Sequence, residues 1–497
     1  MSYQVPQHIS KDKIFIVNRS EIEGRLEPEF YRPSLSSLEN KIRSLATHKL
    51  RDYAISLAGG ATPKKTEAES FYTDSENGIP FLRVQNLQTN GELSLAGCIY
   101  INEETHNGLL ARSQVSEGDL LVKITGVGRM AIASVAPDGF IGNTNQHMVV
   151  IKTGDASLSK YLARYLNLDV IEKIASRHST GGTRPALDYP SLKSIPIIEG
   201  IDFTPIDNAI ETKKEKEAEA KKILTNIDSY VLNELGIILP KSKTDLIDRV
   251  FYISYNNLTG KRIDPKKYSL QVQQLLDSIN VAHFGAKALN SFVRDSCSGD
   301  WGIEDSDTIP EGYTRCLTLR ATEIDNQYNL NVDLSKAKHR LIKNERLEKM
   351  NLSENDIIIE KSGGSDDQPV GRVAIIDKGL LESYNIAFSN FLMKIKVYGI
   401  NPDYLYCFLK TMYNIGVTDS MQSQTNGIRN LILDEFLSQP IVVPPLEKQK
   451  EIVDSVYAMR EKARSLQEEG KDILEQAKRE VERMIIGRKG IDKENLV

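Results

Sequence analysis

Cysteine pairs are missing from this sequence. The four thiols, Cys98, Cys297, Cys316 and Cys407, are scattered with no C-x-x-C spacing, which argues against a zinc knuckle or a dithiol redox centre. No run of about 18 apolar residues occurs, so no membrane-crossing helix is expected. The opening residues, MSYQVPQHISKDKIFIV, lack the apolar core of a signal peptide. An excess of positive charge is absent as well: 63 Lys and Arg face 68 Asp and Glu, a net −5. Any nucleic-acid site must then be a local patch rather than a property of the whole surface. Together these absences predict a reduced, cytoplasmic protein with no membrane partner. What remains is ordinary globular material, 40% hydrophobic and 26% charged over 497 residues, enough for about three domains at roughly 150 residues each.

The chain repeats itself. Arg25-Leu26-Glu27-Pro28-Glu29-Phe30-Tyr31 returns as Arg262-Ile263-Asp264-Pro265-Lys266-Lys267-Tyr268, an offset of 237 residues (265 − 28). The same offset links Ile16 to Ile253, Leu38 to Leu275, Leu82-Arg83 to Leu319-Arg320, Leu93 to Leu330 and Gly126 to Gly363. It also links Ser116-Glu117-x-Asp119 to Ser353-Glu354-x-Asp356. Beyond that point the offset grows by a few residues, as a loop insertion requires. Tyr161-Leu162 matches Tyr404-Leu405, and Gly182-x-Arg184 matches Gly427-x-Arg429. Chance matching of common residues does not hold one register for so long, and a tandem duplication follows.

Each repeat has one internal order. Short β-rich runs broken by Gly, Asn and Asp come first, among them IPFLRVQNL (79–87), GDLLVKITG (118–126) and NDIIIEKSGG (355–364). A helical stretch follows, SKYLARYLNLDVIEKIASR (159–177) in one repeat and PDYLYCFLKTMYNIGV (402–417) in the other. A long charged helix closes each. In the first, Ile206, Ile210, Lys213, Glu217, Ala220, Leu224, Ile227 and Val231 alternate at spacings of four and three. In the second, Val456, Met459, Ala463, Leu466, Gly470, Ile473 and Ala477 do the same. That spacing is the seam of a coiled coil, with loose pairing expected near Lys213, Glu217 and Gly470. Two unrelated surface helices are the alternative. Paired antiparallel, helices of about 30 residues would make a strut of roughly 45 Å relating two copies of one domain by a pseudo-two-fold axis. Two-fold proteins read DNA half-sites about one turn apart, so the layout suits a split DNA target.

The expected fold is therefore mixed α+β, with two tandem homologous domains separated by two long helices forming an antiparallel coiled coil. The boundaries are residues 1–200 for the first domain, 201–237 for the first long helix, 238–250 for a linker, 251–443 for the second domain and 444–497 for the second long helix.

A family resemblance emerges from an ordered set of segments. Gly59-Gly60-Ala61-Thr62-Pro63, then IPFLRVQNL, GELSL, YINEETH, SEGDLLVKITGVGRMAI and NTNQHMVVIK, resembles a target recognition domain of a type I restriction–modification specificity subunit. PIVVPPLEKQKEIV (440–453), followed by a long helix, resembles that family's conserved helical segment. The similarity runs from about residue 14 to residue 487. The second domain departs from the first: Ser389-Asn390-Phe391-Leu392-Met393 stands where the first has Asn145-Gln146-His147-Met148-Val149, and Asp366-Asp367 lies in an extra loop. The resemblance implies a non-catalytic DNA-recognition subunit that holds two adenine-N6 methyltransferase subunits and is joined by restriction subunits. It implies no cofactor in this chain; S-adenosylmethionine, ATP and magnesium are expected on the partner subunits. Methylation would require an adenine flipped from the stack by the methyltransferase partner.

Catalytic motifs fail on inspection. Thr125-Gly126-Val127-Gly128-Arg129-Met130-Ala131 imitates a dinucleotide fingerprint, but the sequel is β-like and breaks at Pro137 where a helix must start. GGATPKKT (59–66) has Lys64 where a phosphate loop needs its second glycine. Val443-Pro444-Pro445-Leu446 lacks both the polar residue and the aromatic of an amino-methyltransferase motif. His147 has no second ligand at metal spacing.

Direct readout needs Arg or Lys for guanine, Asn or Gln for adenine and carboxylates for cytosine, while phosphate contacts need only charge or amide donors. The first domain offers Lys64, Lys65, Arg83, Gln85, Asn86, Arg129, Asn145, Gln146, Arg177, His178, Thr183 and Arg184. The glycine-rich run from Arg177 to Arg184 is the strongest of these, being cationic without acids. The second offers Gln422, Gln424, Asn426 and Arg429, supported by Arg320, Lys361 and Arg372. Arg83 and Arg320 recur in one register, which suits a shared structural or phosphate role. Gln85-Asn86 could equally satisfy strand-end backbone groups. Two other function classes stay open at this point, a self-sufficient restriction or methylation enzyme and a coiled-coil scaffold without DNA affinity.

Overall fold

The computed structural model describes residues 10–64, 68–240, 250–254, 265–325, 330, 332–334, 337–365, 368–425 and 428–487. The chain is mixed α and β and divides into two compact units, Met1–Lys216 with Glu468–Val497, and Glu217–Gln467. Among the described residues no helix is long and apolar enough to cross a membrane.

In the first unit a four-stranded sheet runs in the order Ser56–Gly59, Met148–Lys152, Leu120–Lys123, Ala133–Val135. Its central strands are apolar at nearly every position because both faces are covered. Side chains alternate between faces along a strand. Leu120, Val122, Val149 and Ile151 accordingly enter one core with the helices Ala156–Leu166 and Asp169–His178. Leu121, Met148 and Val150 enter another with Leu82 and Val115 from a five-stranded sheet. That second sheet runs Tyr72–Thr73, Ile99–Ile101, Ile79–Leu82, Ile141–Thr144, Gln114–Ser116, with Ile79–Leu82 and Ile141–Thr144 parallel.

The stretch 159–177 reads as continuous helix in the sequence but is two helices, broken at Asn167 and Leu168. Asn167 still closes its turn, its N donating to Ala163 O at 3.2 Å, and the chain leaves the helix at Leu168. The Asn167 side-chain amide accepts from Ala133 N at 3.2 Å and donates to Ala133 O at 2.7 Å, tying the break to a strand.

The second unit repeats the strand order of the four-stranded sheet, while its other sheet has four strands rather than five. Val293–Ser298, Leu392–Val397, Ile357–Glu360 and Val373–Ile375 form its four-stranded sheet. Ile357, Ile359, Met393 and Ile395 face one core, and Ile358, Ala374 and Leu392 the other. Tyr313–Leu319 and Ile386–Phe388 form the parallel pair. Small polar details repeat too. Ser116 N donates to Asp119 Oδ2, and Ser353 N to Asp356 Oδ2, both at 2.8 Å. Tyr161 Oη donates to Ile198 O at 2.6 Å, and Tyr404 Oη to Val442 O at 2.7 Å. One alignment from the sequence shifts by a residue. Gly126 N donates to Pro185 O and Gly363 N to Arg429 O, both at 3.0 Å, so Arg429 stands where Pro185 does rather than Arg184.

The first long helix, Thr204–Leu235, and the second, Leu446–Gly487, supply apolar stripes within each unit. In the first unit Ile206 and Ile210 share a core with Leu474, Ala477 and Val481. In the second, Ala220 packs with Ala463 and Leu466, and Ile227 and Val231 with Ile452 and Val456. Ion pairs run in antiparallel register: Glu219 with Lys462 at 3.6 Å, then Glu234 with Lys448 at 2.6 Å. Glu217 is exposed rather than in the stripe; Lys216 is half-buried there and pairs with Glu469 at 2.8 Å. Gly470 is the opposite of a loose point. A Cβ built on it would lie 3.2 Å from Lys213 Cγ and 3.3 Å from Lys213 Cα, so its bare backbone allows close approach.

The expected consequence is that Gly470→Val destabilises the protein by about 1–3 kcal/mol through overpacking, although it removes a helix glycine that would otherwise cost about 1 kcal/mol. Urea denaturation checks this; an unchanged midpoint would mean the helices can move apart freely there.

Candidate nucleic-acid interface

The four-stranded sheet of each unit ends in a rim of loops, and close backbone contacts hold that rim together. In the first unit the strand Ser56–Gly59 leaves through Gly60, whose N donates to Met148 O at 3.3 Å. A Cβ on Gly60 would sit 2.1 Å from Thr144 O and 2.3 Å from Asn145 O. Thr62 Oγ1 then donates to Gln146 Oε1 across the rim. Ile124 N donates to His147 O at 2.9 Å, and Thr125 bridges to Ala186. Arg184 Nη2 donates to His147 Nε2 at 3.0 Å. Residues from four separate segments thus converge.

The Arg184 contact selects one neutral tautomer of His147. A guanidinium can only donate, so Nε2 accepts and the proton sits on Nδ1, which is buried without a partner. Burial, and then the nearby Arg184 charge, push the imidazole below its ordinary value.

The second unit builds its rim from equivalent segments. Gly299 takes the place of Gly60: its Cβ would lie 2.1 Å from Phe388 O and 2.2 Å from Ser389 O. Lys361 N donates to Phe391 O at 2.9 Å, so Phe391 stands where His147 does. Lys361 Nζ donates to Ser298 Oγ at 2.9 Å, and Ser362 Oγ to Asn430 Oδ1 at 2.7 Å. The hairpin of Gln422–Thr425 with Ile428–Leu431 completes it.

The candidate residues separate into two groups. Lys64, Gln85, Gln146, Thr183, Arg184 and Gln424 are exposed, and Lys361 and Arg429 are half-buried; Gln85 Nε2 reaches Gly97 O at 3.4 Å. The others are tied into the fold by the following contacts, beside those already given for Gln146, Arg184 and Lys361. Asn86 is buried, accepting from Arg83 N and donating to Ser94 O, each at 2.8 Å. Arg83 Nη2 donates to Gly97 O at 2.8 Å. Arg320 pairs with Glu323, its backbone repeating the Arg83–Asn86 cap. Asn145 is buried and accepts from His147 N at 3.1 Å. Arg129 turns inward to Asp169 and the carbonyl of Asn167. Arg372 is buried in an ion pair with Glu360, Nε to Oε2 at 2.8 Å. Gln422 is buried, donating to Thr418 O at 3.2 Å. Lys65, Asn426 and the Asp366-Asp367 pair lie outside the described residues.

Arg177 and His178 belong to another cluster. Arg177 donates to Phe30 O at 2.6 Å and to Ser36 Oγ at 2.9 Å, and pairs with Glu39. His178 Nε2 lies 2.9 Å from both Glu39 oxygens. The pair reads as cationic in the linear sequence, but Glu39 from the helix Pro33–Leu45 neutralises it. Burial acts to raise the Glu39 carboxyl; hydrogen bonds and charge from His178 and Arg43 outweigh it and bring it down to about 2.

Sequence reasoning passed over Thr62, Lys123 and Val127. Lys123 is buried, and its Nζ donates to Val127 O at 2.8 Å and to Arg129 O at 2.9 Å. The signal was the Gly-Val-Gly run itself, read only as a failed nucleotide motif. The strand Ala133–Val135, not a helix, follows it. Among the described residues no group of three or more His, Cys, Asp or Glu could hold a metal ion.

Residues 325–475 match the family model described as type I restriction modification DNA specificity domain. No curated protein matches the chain. Similar solved structures include a chain from a study of complex assembly and conformational transition of the type I R-M system. It has 13% identity, covers 88% of this chain and 95% of that one, and gives a TM-score of 0.42. The type I restriction–modification S subunit from M. genitalium has 13% identity, with 88% and 95% covered and a TM-score of 0.34. The HsdS subunit from Thermoanaerobacter tengcongensis has 12% identity, with 88% and 94% covered and a TM-score of 0.30.

The Glu39 cluster has a measurable consequence. A carboxyl held at about 2 when folded and near 4.5 when unfolded stabilises fully above pH 4.5 and loses that contribution as pH falls toward 2. The loss is on the order of 3 kcal/mol. Glu39→Gln is expected to flatten the decline in urea midpoint over that window, and an unaltered pH slope would refute the assignment.

Proposed function

We propose that this chain, whose residues 325–475 match the type I restriction modification DNA specificity domain, is the subunit that chooses the DNA sequence for such a complex. Each unit reads one half of a bipartite target on double-stranded DNA. The two long helices act as an antiparallel coiled coil that sets the spacing and docks two methyltransferase subunits, with restriction subunits joining. Adenine methylation and cleavage fall to those partners, as do S-adenosylmethionine, ATP and magnesium.

The observation that carries this reading is the recurrence of one rim on two frameworks of equal strand order, each bearing different exposed side chains. Arg184 and Gln146 stand exposed on the first; on the second Gln424 is exposed and Arg429 half-buried. Arginine suits guanine and glutamine suits adenine in the major groove, while the glycine loops let backbone amides approach phosphates. A module that reads two unlike words needs this combination of shared scaffold and unshared tips. Helix stripes pairing in antiparallel register inside each unit support the coil.

Two outcomes are expected. Arg184→Ala weakens recognition of one half-site and Gln424→Ala of the other, each by roughly ten-fold, read from methylation motifs of cells carrying the complex. If both variants relax the same half, the division of labour is wrong. Lengthening both long helices by matched turns changes the spacer between the half-sites, and a motif with its original spacer would remove the strut from the account.

A further inference from the structure

Val127 is 79% exposed on a loop whose geometry is tightly specified. It sits between Gly126 at φ 120 and Gly128 at φ 80, conformations in which glycine carries no steric cost. A side chain on Gly128 would meet nothing within 4 Å, so the loop tip projects into open space. Its base is braced. The buried Lys123 ammonium holds the carbonyls of Val127 and Arg129. Burial pushes that ammonium below its ordinary range, a cost that a solvated turn would not incur. Arg129 is bound to Asp169 and Asn167 O, and Gly126 N to Pro185 O at 3.0 Å, next to Arg184. Single exposed apolar residues are common on protein surfaces. Here a buried lysine and a paired arginine hold one isopropyl group at the edge of the rim.

The second unit differs at this point. The residue equivalent to Val127 is Gly364, where a Cβ would lie 2.6 Å from Gln368 O and 2.8 Å from Val370 N. No side chain fits. That unit's apolar tip is Phe391 instead, 46% exposed at the position of His147. The two rims present apolar groups from different loops, as readers of unlike sequences would.

Resting on the DNA-reading function proposed above, we infer that Val127 is a specificity-determining residue that reads the C5 methyl of a thymine in the first unit's half-site. Among base edges in the major groove that methyl is the apolar feature, and small apolar side chains recognise it by contact alone. A β-branched valine has few rotamers to lose on docking, and its braced loop loses little freedom.

The test uses the full chain assembled with its methyltransferase partner, on duplexes carrying the target obtained by methylome sequencing. Each thymine is replaced singly by uracil, which removes only the methyl. Uracil at one position of the first half-site is expected to weaken binding about four-fold. Val127→Ser should bind the thymine and uracil duplexes alike at that position, and Val127→Ile should keep the discrimination. If native and Val127→Ser assemblies respond identically to every substitution, or the half-site contains no thymine, the inference falls while DNA recognition stands. If the native assembly shows no preference for its target over random duplex, the DNA reading itself falls and the inference with it.

Discussion

Both rims depend on a backbone passing too close to its neighbours for any side chain. Gly60 lies beneath the carbonyls of Thr144 and Asn145, and Gly299 beneath those of Phe388 and Ser389. An oxygen about 2 Å from where a Cβ would stand leaves no room for adjustment, because real Cβ atoms do not approach heavy atoms so closely. That proximity brings the exit of one strand against the turn feeding the next. In the first unit the Thr62–Gln146 and Arg184–His147 contacts follow from it. A larger residue at either glycine would separate the turn from the strand end before altering any exposed group.

The framework also decides which charges remain available. Lys123 and Glu360 occupy equivalent strand positions, since Lys123 N bonds Ile132 O and Glu360 N bonds Arg372 O. One is a buried cation that gathers loop carbonyls; the other is a buried anion that binds Arg372. A buried charge must find a partner or abandon its ionised form, so each unit supplies its own. The same rule turns Arg129 and Arg177 away from the surface. Cations seen in a linear sequence are candidates for a phosphate only when no carboxylate lies closer in space.

Much of this was readable in advance. The 237-residue register is self-similarity along the chain, and the β-rich runs and the alternating three–four stripes of the long helices are local patterns set by side-chain period and glycine placement. The helix break at Asn167 was not, because it answers to Ala133, a residue 34 positions earlier on a separate strand. Gly470 was misread for a related reason. Glycine has low helix propensity, yet two helices can approach most closely where a side chain is absent.

By itself the sequence determined the repeated register, the mixed fold and the kind of chemistry available, since these depend on composition and pattern along one chain. Tertiary structure alone decided which arginines are spent on Glu39, Asp169 and Glu360 and which stay on the rim. It also turned a Gly-Val-Gly run into a braced apolar tip. Partner choice between charges is settled by distance in space, and residues as far apart as Glu39 and Arg177 become neighbours only once the chain has folded.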